Sequence, residues 1–408
     1  MPNTSPQRLA YLVSRFPTVT ETFILREMID VERLGMPITL YTLIVEQGGV
    51  IHEDARAWVP RLHSIRYGSW TMIKANLIAL FTHPLLVISL LLLTIRELWG
   101  SWNFFLRDLF LFPKAIAFAY EMKAQGIDHL HAHWATHTAY AAYIVHRMTG
   151  ISYSFTAHAH DIYIWKAMLC RKVRAARFVA TISHFNAAEL VEDCGEAVRD
   201  KIHIVRCGVD VERFTPEHHT TGEPFTILTV AGLRDYKGHP EAIKACKLLK
   251  TRLPNFRWLV IGGGPERAAL EALIAEAGVG DVFHLLGPQP EHEVRRMMTE
   301  ADCFVMTSIM LNDRRMDGIP VALMESLAME IPTIATQISG IPELVEDGVT
   351  GFCVPPEDPE RLVEAILHVY HHPDEAHALA AAGRLRVAQE FTVRGNAERL
   401  VALFRSAP

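Results

Sequence analysis

The chain has 408 residues, half of them hydrophobic, and a formal net charge of −6. This length favours two domains of ordinary size. Residues 1–210 carry 21 lysines and arginines against 18 acidic residues, and the remaining residues carry 19 against 28. The sequence contains no dense basic stripe, which argues against general nucleic-acid binding. A slightly basic front half instead suits contact with anionic lipid.

Six cysteines lie far apart in the sequence, and none belongs to a CxxC pair. They are Cys170, Cys194, Cys207, Cys246, Cys303 and Cys353. The polar opening MPNTSPQR does not read as a secretory leader. Together these features predict a reduced chain in the cytoplasm.

Short apolar runs that end in Gly, Ser or His alternate with stretches of helical periodicity, which predicts buried parallel strands between helices. The runs cover residues 8–14, 38–44, 127–133, 153–159, 178–183 and 201–205, and then 225–232, 257–264, 282–287, 303–308, 332–336 and 351–355. Two prolines, a glycine and a polar cluster make 210–224 a predicted linker. We therefore predict an α/β chain with two doubly wound domains, 1–209 and 225–385. A helical stretch at 386–408 is expected to pack back on the first domain.

One apolar segment does not fit a soluble sheet. Residues 75–95 contain no formal charge, and an aromatic-rich stretch follows them, so the segment is a transmembrane candidate by length and polarity. A true span would place strands of one sheet on opposite sides of the membrane. We therefore expect a hairpin of apolar helices, within about 70–118, that lies against the membrane surface with Trp99 and Trp102 at the interface. The alternative is a helix pair packed into the first domain's core.

Two acids frame a turn in the stretch MDGIPVALMESLAM. Gly318 and Pro320 predict a helix that begins near Pro320. Asp317 then precedes the helix and Glu325 lies inside it. A helix N-terminus binds anions, and carboxylates accept hydrogen bonds from neighbouring hydroxyls, so the layout suits a nucleoside diphosphate sugar. An ordinary helix-start aspartate and a solvated glutamate explain the local pattern as well.

The same residues match the pattern EGxPxxxxE, with Asp317 in place of the first glutamate. Downstream, residues 338–366 look like the closing signature of the same family, with Gly340, Glu343, Gly348 and Gly351 at matching places. The sequence resembles the retaining glycosyltransferases of family 4 over nearly its whole length. This resemblance implies the GT-B fold, two Rossmann-like domains that face each other across a cleft. It also implies that the sugar donor contacts Gly318, Ile319, Pro320 and Val321.

The family's phosphate-binding turn reads GRLxxxKG, and this chain has AGLRDYKG from Ala231. Lys237 matches the pattern, but Gly232 stands where the family has an arginine. Arg234 is a candidate replacement for that charge. The stretch VIGGGPE resembles the family's strand-to-helix turn, which implies donor contacts at Gly263 and Gly264. Without the resemblance, Lys237 reads equally well as a solvated lysine at a helix start.

In the first half, SRFPTVTETFILREM resembles the opening of the exopolysaccharide and lipopolysaccharide branch of the family. The resemblance implies that Thr20, Glu21 and Thr22 lie near the acceptor and the sugar donor. A capping box at the start of an amphipathic helix explains them almost as well. The stretch FTAHAHDIY resembles the family's strand-end histidine, which we place at His158, and we predict that Asp161 nearby contacts the acceptor.

Three alternating histidines, His129, His131 and His133, would share one face of a strand. A metal site is conceivable, but no Cys or Glu is spaced among them, and the resemblance implies an enzyme that needs no metal. We therefore predict no metal and no other cofactor. Hydrogen bonding at the strand end is expected instead, with an acceptor contact at His133.

The resemblance implies transfer of a hexosyl group from a UDP- or GDP-linked sugar, with retention at the anomeric carbon. His158 and Asp317 would then bind the donor sugar, Lys237 the diphosphate and Glu325 the ribose. The apolar region 77–112 indicates a lipid-linked saccharide acceptor, in cell-surface polysaccharide synthesis at the inner face of the cell membrane. Two alternatives remain: a nucleotide-sugar isomerase or phosphorylase on the same fold, and a non-catalytic membrane-associated assembly subunit.

Overall fold

The computed structural model describes residues 8–17, 22–46, 53–216 and 223–406, without the side chains of residues 22, 53 and 103. The chain forms two compact units. Unit 1 comprises Met1–Val205 together with Asn396–Pro408, and unit 2 comprises Arg206–Gly395. Both boundaries differ from the predicted ones, because residues 206–216 belong to unit 2 and position 386 falls inside a helix.

Unit 1 contains a parallel sheet of seven strands. The strands are β1 (Leu9–Phe16), β2 (Ile38–Val45), β3 (Leu62–His63), β4 (His129–His133), β5 (Ser152–Ala157), β6 (Val179–Thr181) and β7 (Ile202–Ile204). The helices are α1 (Thr22–Arg33), α2 (Trp70–Thr82), α3 (Pro84–Leu98), α4 (Trp102–Ala124), α5 (His137–Thr149), α6 (His160–Tyr163), α7 (Leu169–Ala175) and α8 (His184–Cys194). The strand order β3-β2-β1-β4-β5-β6-β7 reverses between β1 and β4.

Unit 2 contains a parallel sheet of six strands in the order β10-β9-β8-β11-β12-β13. The strands are β8 (Phe225–Val230), β9 (Phe256–Ile261), β10 (Phe283–Gly287), β11 (Cys303–Met306), β12 (Thr333–Thr336) and β13 (Phe352–Val354). The helices are α9 (His239–Leu249), α10 (Arg267–Ala277), α11 (Glu291–Thr299), α12 (Val321–Ala328), α13 (Pro359–His371) and α14 (Pro373–Glu390). The last helix, α15 (Val393–Arg405), begins in unit 2 and belongs to unit 1 from Asn396 onward. This order reverses between β8 and β11.

The two sheets confirm the predicted doubly wound α/β fold. Every apolar run in the sequence overlaps one of these strands, and most strand residues are buried, as expected for parallel sheets covered by helices on both faces. Only β3 was not predicted, because two residues carry no periodicity.

Helices α2, α3 and α4 form an apolar layer on unit 1. Their inner side chains are buried, including Ala79, Leu90 and Leu98. Their outer side chains include thirteen exposed large hydrophobic residues: Trp70, Ile73, Leu77, Ile78, Leu80, Phe81, Leu85, Ile88, Leu92, Trp99, Trp102, Leu106 and Phe110. Among the helices that the structure describes, none alone has the length and apolarity of a membrane span, and α2 and α3 have it only jointly, with a bend of 110°.

The end of α15 completes the core of unit 1. Phe404 lies beside Tyr11 and Phe178, with ring centroids 6.3 Å and 5.7 Å away, and it also contacts the rings of His129 and His131. Ala397, Leu400 and Val401 belong to the same buried cluster. The face of the unit 1 sheet that carries Tyr11, His129 and His131 is therefore covered in part by α15. This helix lies nearly two hundred positions further along the chain than the last strand of that sheet.

The structure corrects the expectation that all six cysteines are reduced. Cys170 in α7 and Cys194 at the end of α8 form a disulfide, with Cα atoms 4.9 Å apart. No pattern in the sequence indicates this pair, because the two cysteines lie 24 positions apart and are brought together by two helices and a strand that return the chain to the same place.

Candidate active site

In open doubly wound sheets, ligands bind beyond the carboxyl ends of the strands, at the point where the strand order reverses. In unit 2 that point lies between β8 and β11, and in unit 1 it lies between β1 and β4. The predicted residues Lys237 and Asp317 follow β8 and β11, and His158 follows β5, the neighbour of β4.

Lys237 and Asp317 form an ion pair at the reversal point of unit 2. The Lys237 Nζ atom lies 2.7 Å from Oδ1 of Asp317, and both side chains are largely buried, at 14% and 12% exposure. The Ser308 hydroxyl donates a hydrogen bond to the second carboxylate oxygen of Asp317. The structure thus brings together two residues that the sequence placed in the donor site, 80 positions apart.

The turn that carries Lys237 is held against β11 by its backbone. Gly238 has a φ of +67°, and a Cβ atom there would lie 1.8 Å from the carbonyl oxygen of Thr307. The Thr307 hydroxyl donates to the carbonyl oxygens of Lys237 and Gly238, at 3.1 Å and 3.0 Å. A glycine is required at 238 because any side chain would separate the two loops.

The loop that carries Asp317 is anchored by the closing signature. The Ser339 hydroxyl lies 2.6 Å from the carbonyl oxygen of Asp317 and 2.9 Å from that of Gly318, as a donor to both. Helix α12 begins at Val321 with Pro320 as its N-cap, one residue later than predicted. Glu325 lies in this helix and is half-buried.

The predicted donor-binding glycines pack backbone against backbone. A Cβ atom on Gly264 would lie 2.2 Å from the carbonyl oxygen of Leu233, and one on Gly263 would lie 2.9 Å from Cγ of Pro288. The Leu233 N–H donates to the Gly263 carbonyl at 3.0 Å. These contacts join the turns after β8 and β9 and already explain the glycines. Their contact with a ligand stays a prediction.

Arg234 and Gly232 are both exposed in the turn after β8. The Gly232 carbonyl oxygen lies 3.0 Å from Nε2 of His239, and burial lowers the pKa of His239, so the neutral ring donates this hydrogen bond. The Arg234 guanidinium makes no ion pair with the residues that the structure describes. Its contact with a ligand stays a prediction.

In unit 1, His158 lies at the end of β5 among aromatic rings. Its ring centroid is 4.5 Å from that of Trp134 and 5.0 Å from that of Phe23. The His158 side chain is buried, and desolvation, followed by the charge on His133, places its pKa well below the usual range. His158 is therefore neutral near pH 7.

The predicted acceptor contact at Asp161 does not fit its surroundings. Asp161 is 1% exposed, and its carboxylate accepts hydrogen bonds from the backbone N–H groups of Ala135, His158 and Ala159, at 2.8, 3.1 and 2.7 Å. Burial raises its pKa, and the three N–H groups oppose that shift. Asp161 joins the ends of β4 and β5 and fixes the backbone of His158.

The alternating histidines form a hydrogen-bonded ladder on one face of β4, facing hydroxyls of β5. His131 Nδ1 lies 2.8 Å from Ser154 Oγ, and Nε2 lies 3.0 Å from Thr156 Oγ1. His129 Nε2 lies 2.7 Å from Ser154 Oγ and is hydrogen-bonded to it. Desolvation lowers the pKa of His129 to about 3 and that of His131 well below its usual range. His133 is fully buried, so its exposure offers no support for an acceptor contact, which stays a prediction.

Glu27 is a residue that the sequence analysis missed. One of its carboxylate oxygens lies 3.0 Å from Nε2 of His133. Glu27, His131 and His133 place three potential metal-ligand atoms within 4.8 Å of one another. Both ring nitrogens of His131 are hydrogen-bonded to hydroxyls, so the cluster also makes sense as a network without a metal. The expectation of no metal stays a prediction.

Trp134 was missed as well. It adopts a φ of +77°, a conformation that bulky residues rarely take, and its indole nitrogen is buried with no hydrogen-bond partner among the described residues. A strained backbone and an unpaired donor are typical of ligand sites. No sequence pattern could have revealed either feature. Thr20 and Glu21 lie outside the described residues, as does the side chain of Thr22, which begins α1.

Comparisons with known proteins agree with this geometry. Residues 93–213 match the family model Glycosyltransferase Family 4, and residues 210–386 match Glycosyl transferases group 1. Over 209 residues the chain is 38% identical to the putative colanic acid biosynthesis glycosyltransferase WcaL of Salmonella typhimurium, covering 51% of this chain and 52% of WcaL. It is 36% identical over 193 residues to the amylovoran biosynthesis glycosyltransferase AmsK of Erwinia amylovora, covering 47% of each. The chain thus matches about half the length of these relatives.

Similarity in fold extends further than similarity in sequence. The crystal structure of Anabaena Alr3699/HepE in complex with UDP-glucose matches 97% of this chain and 98% of its own, with a TM-score of 0.67 and 14% sequence identity. At that identity the match shows the fold alone. Three observations lead to one assignment. They are the two adjoining family matches, the doubly wound sheet in each unit and the relatives from exopolysaccharide synthesis. The chain belongs to the family 4 glycosyltransferases of GT-B fold, as its sequence motifs indicated.

Proposed function

We propose that the protein is a retaining glycosyltransferase that moves a hexosyl group from a UDP- or GDP-linked sugar to a saccharide acceptor in cell-surface polysaccharide synthesis. The observation that carries this proposal is the ion pair between Lys237 and Asp317 at the reversal point of the second sheet. It places a cation and a carboxylate side by side, ahead of the start of α12. The ammonium group suits a diphosphate, and the carboxylate suits sugar hydroxyls.

Each group has a stated role in the proposal. Lys237 and Arg234 stabilise the negative charge that builds on the departing diphosphate, and the N-terminus of α12 adds its dipole. Asp317 holds sugar hydroxyls with the lone pairs that Lys237 and Ser308 leave unused, because a carboxylate has about four such sites. Glu325 holds the ribose, and His158 of unit 1 binds the transferred sugar. No residue acts as a nucleophile, and no metal or cofactor takes part.

Thermal unfolding with a panel of UDP- and GDP-linked sugars tests donor binding. A true donor raises the midpoint progressively with its concentration, because it binds the folded state only. Glu325→Ala should abolish that shift, whereas Glu276→Ala, an exposed glutamate on α10, should keep it. A full shift in Glu325→Ala would refute the ribose assignment. Full turnover in Arg234→Ala would likewise refute the idea that Arg234 replaces the family's arginine.

The acceptor is proposed to be lipid-linked, with the protein bound to the inner face of the cell membrane. The exposed apolar side chains of α2, α3 and α4 support this, since so large a contiguous patch is unusual on a protein that meets only water. Trp99 and Trp102 lie together at the α3–α4 junction, with centroids 6.0 Å apart, and such rings favour the membrane interface.

Vesicle co-sedimentation tests the membrane contact. Phe81→Ser with Leu85→Ser removes two of the most exposed side chains, at 84% and 83%, and should weaken binding to lipid vesicles several-fold. Leu385→Ser, at 63% exposure on α14, is the matched control and should bind as the wild type does. Equal binding by all three proteins would refute the proposed surface.

The alternatives from the sequence make distinct predictions. An isomerase or phosphorylase would release or use the nucleotide sugar without a saccharide acceptor, or would depend on phosphate. A non-catalytic assembly subunit would bind the sugar donor without turnover. Because the matching family models and the relatives WcaL and AmsK are glycosyltransferases by name, we favour the transferase.

A further inference from the structure

A basic pocket lies in unit 1 where α3, α5 and α7 meet. It has a volume of about 690 Å³, and none of its lining residues is a predicted donor or acceptor contact. The charged residues of its lining are Glu97 of α3, Arg147 of α5, Lys166 just before α7, and Arg171 and Arg174 of α7. Four cations against one carboxylate give the lining a net charge of +3.

Two of the four cations are engaged in ion pairs. Nη2 of Arg171 lies 2.8 Å from Oε1 of Glu97, and this carboxylate is shared with Arg96, at 3.0 Å. Nζ of Lys166 lies 2.7 Å from Oδ1 of Asp193 in α8. Each pair joins two separate segments of the chain, so these contacts hold the walls of the pocket together.

The other two cations, Arg147 and Arg174, are exposed and make no ion pair with any residue that the structure describes. Arg147 donates from Nη1 to the Tyr143 hydroxyl, and Arg174 donates from Nη2 to the carbonyl oxygen of Cys194, both at 2.9 Å. A guanidinium carries five N–H groups, so each arginine keeps donors for a ligand. Two forked cations in one pocket suit the oxygens of a phosphate group.

The pocket borders the apolar layer formed by α2, α3 and α4. Glu97 lies two residues before Trp99, whose side chain is 70% exposed. Trp165, next to Lys166, is 45% exposed, and its ring centroid lies 5.4 Å from that of Phe104 in α4. Exposed tryptophans favour the headgroup level of a membrane, which is also the level of the lipid phosphates. The cations of the pocket therefore lie beside the aromatic edge of the apolar layer.

We propose that this pocket binds the phosphate group of an anionic phospholipid, in the membrane that the apolar layer contacts. The inference rests on the membrane contact in the proposed function and is independent of the sugar-donor site. Free inorganic phosphate offers similar oxygens without acyl chains. The chains, which would lie against the apolar layer, therefore distinguish the two sources.

Co-sedimentation with vesicles of phosphatidylcholine, with and without phosphatidylglycerol, tests the pocket. Phosphatidylglycerol should strengthen binding of the wild type. Arg147→Gln with Arg174→Gln should weaken binding to those vesicles roughly 25-fold, because each cation at an anionic surface contributes about fivefold. If the double variant fails to fold, Arg147→Gln alone should show the fivefold loss. No gain from phosphatidylglycerol in the wild type would overturn the proposal.

The matched control removes the same charge elsewhere. Arg296→Gln with Arg361→Gln changes two arginines of unit 2 whose side chains are 55% and 65% exposed. This control should keep most of the binding to vesicles that contain phosphatidylglycerol. An equal loss in both double variants would mean that net charge alone attracts the protein, and the pocket would be refuted.

Calorimetric titration separates a lipid headgroup from free phosphate. Dihexanoyl phosphatidylglycerol, kept below the concentration at which it forms micelles, should bind the wild type several-fold more tightly than inorganic phosphate does. Arg147→Gln with Arg174→Gln should abolish the heat of lipid binding. Equal affinities of the wild type for the two probes would refute the lipid as the ligand.

Thermal unfolding with the nucleotide-sugar panel keeps this inference apart from the proposed function. Arg147→Gln with Arg174→Gln should retain the full donor shift, because neither residue is a predicted donor contact. A wild type that binds no nucleotide sugar would refute the proposed function, while the lipid titration would still decide the pocket. A wild type that binds a nucleotide sugar but not dihexanoyl phosphatidylglycerol would refute the pocket alone.

Discussion

Arg206 and Glu343 form a buried ion pair at the start of unit 2, with Nη1 2.8 Å from Oε2 and side-chain exposures of 5% and 18%. The Arg206 guanidinium also lies 4.6 Å from the ring centroid of Phe391. Glu343 belongs to the closing signature that the sequence linked to the family. Its partner shows that this part of the signature holds the fold of unit 2.

Glu343→Ala should therefore lower the free energy of unfolding by about 3 kcal/mol, because it removes the nearer of the two carboxylates that the buried Arg206 guanidinium contacts among the described residues, while Glu390 lies further away at 3.6 Å. Urea unfolding followed by circular dichroism measures this. Glu360→Ala is the control, since its pair with Arg252 is exposed and should contribute less than about 0.5 kcal/mol. Similar losses in the two variants would contradict the structural role.

Asp317→Asn should tighten the binding of UDP or GDP alone while it slows transfer. In the wild type, Asp317 offsets the charge of Lys237, so an uncharged amide makes that ammonium available to a diphosphate, with roughly three- to tenfold tighter binding. The preference for a nucleotide sugar over the free nucleotide should fall, because the carboxylate that binds hydroxyls is gone. Calorimetric titration measures both ligands, and the exposed Asp313→Asn serves as control. Weaker nucleotide binding in Asp317→Asn would count against this charge balance.

Trp134→Phe should cost little stability. The indole N–H is buried without a partner among the described residues. Burying this unpaired N–H destabilises the folded wild type, whereas the phenylalanine variant has no N–H to bury. We expect the free energy of unfolding to stay within about 0.5 kcal/mol of the wild type or to rise. Urea unfolding measures the change. A loss of about 2 kcal/mol would mean that the N–H is hydrogen-bonded in the protein without ligand.

The burial of Lys172 predicts that the free energy of unfolding rises as the pH increases into the alkaline range. Its side chain is fully buried, and desolvation lowers its pKa to about 8, against an opposing effect from Asp108 and Asp161. Between pH 8 and about 10.5 the unfolded chain holds a proton on this lysine that the folded chain has lost, so stability increases with pH in this window. The gain from Lys172 by pH 10 is about 2 to 3 kcal/mol.

Lys172→Met tests that window by comparison with the wild type. The difference in unfolding free energy between the two proteins should change between pH 7 and pH 10 in favour of the wild type. Lys114, whose pKa burial also lowers to about 8, is present in both proteins and cancels. A difference that does not vary with pH would show that Lys172 titrates normally.

Local patterns and the family resemblance were enough to predict the strands, the start of α12 and the presence of Lys237 and Asp317 at one site, because the family motifs follow strands whose ends meet in space. They did not predict that the two side chains form an ion pair. They were not enough for Glu27, which reaches His133 from 106 positions away. The backbone role of Asp161 was not predicted for a related reason: an acidic residue after a strand reads as a substrate contact until the backbone N–H groups around it are seen. The Cys170–Cys194 disulfide likewise could not be predicted, because its two cysteines meet only when the chain folds α7 and the end of α8 against each other.

The position of Phe404 has a consequence for how the protein is made. Tyr11, His129 and Phe178 emerge from the ribosome long before the ring that covers them, so the first sheet cannot finish its core during synthesis of the first half. The N-terminal half therefore cannot bury all of this cluster before the end of the chain has been made. We expect a nascent chain stalled near residue 205 to leave the rings of Tyr11, His129 and Phe178 without the cover that Phe404 provides.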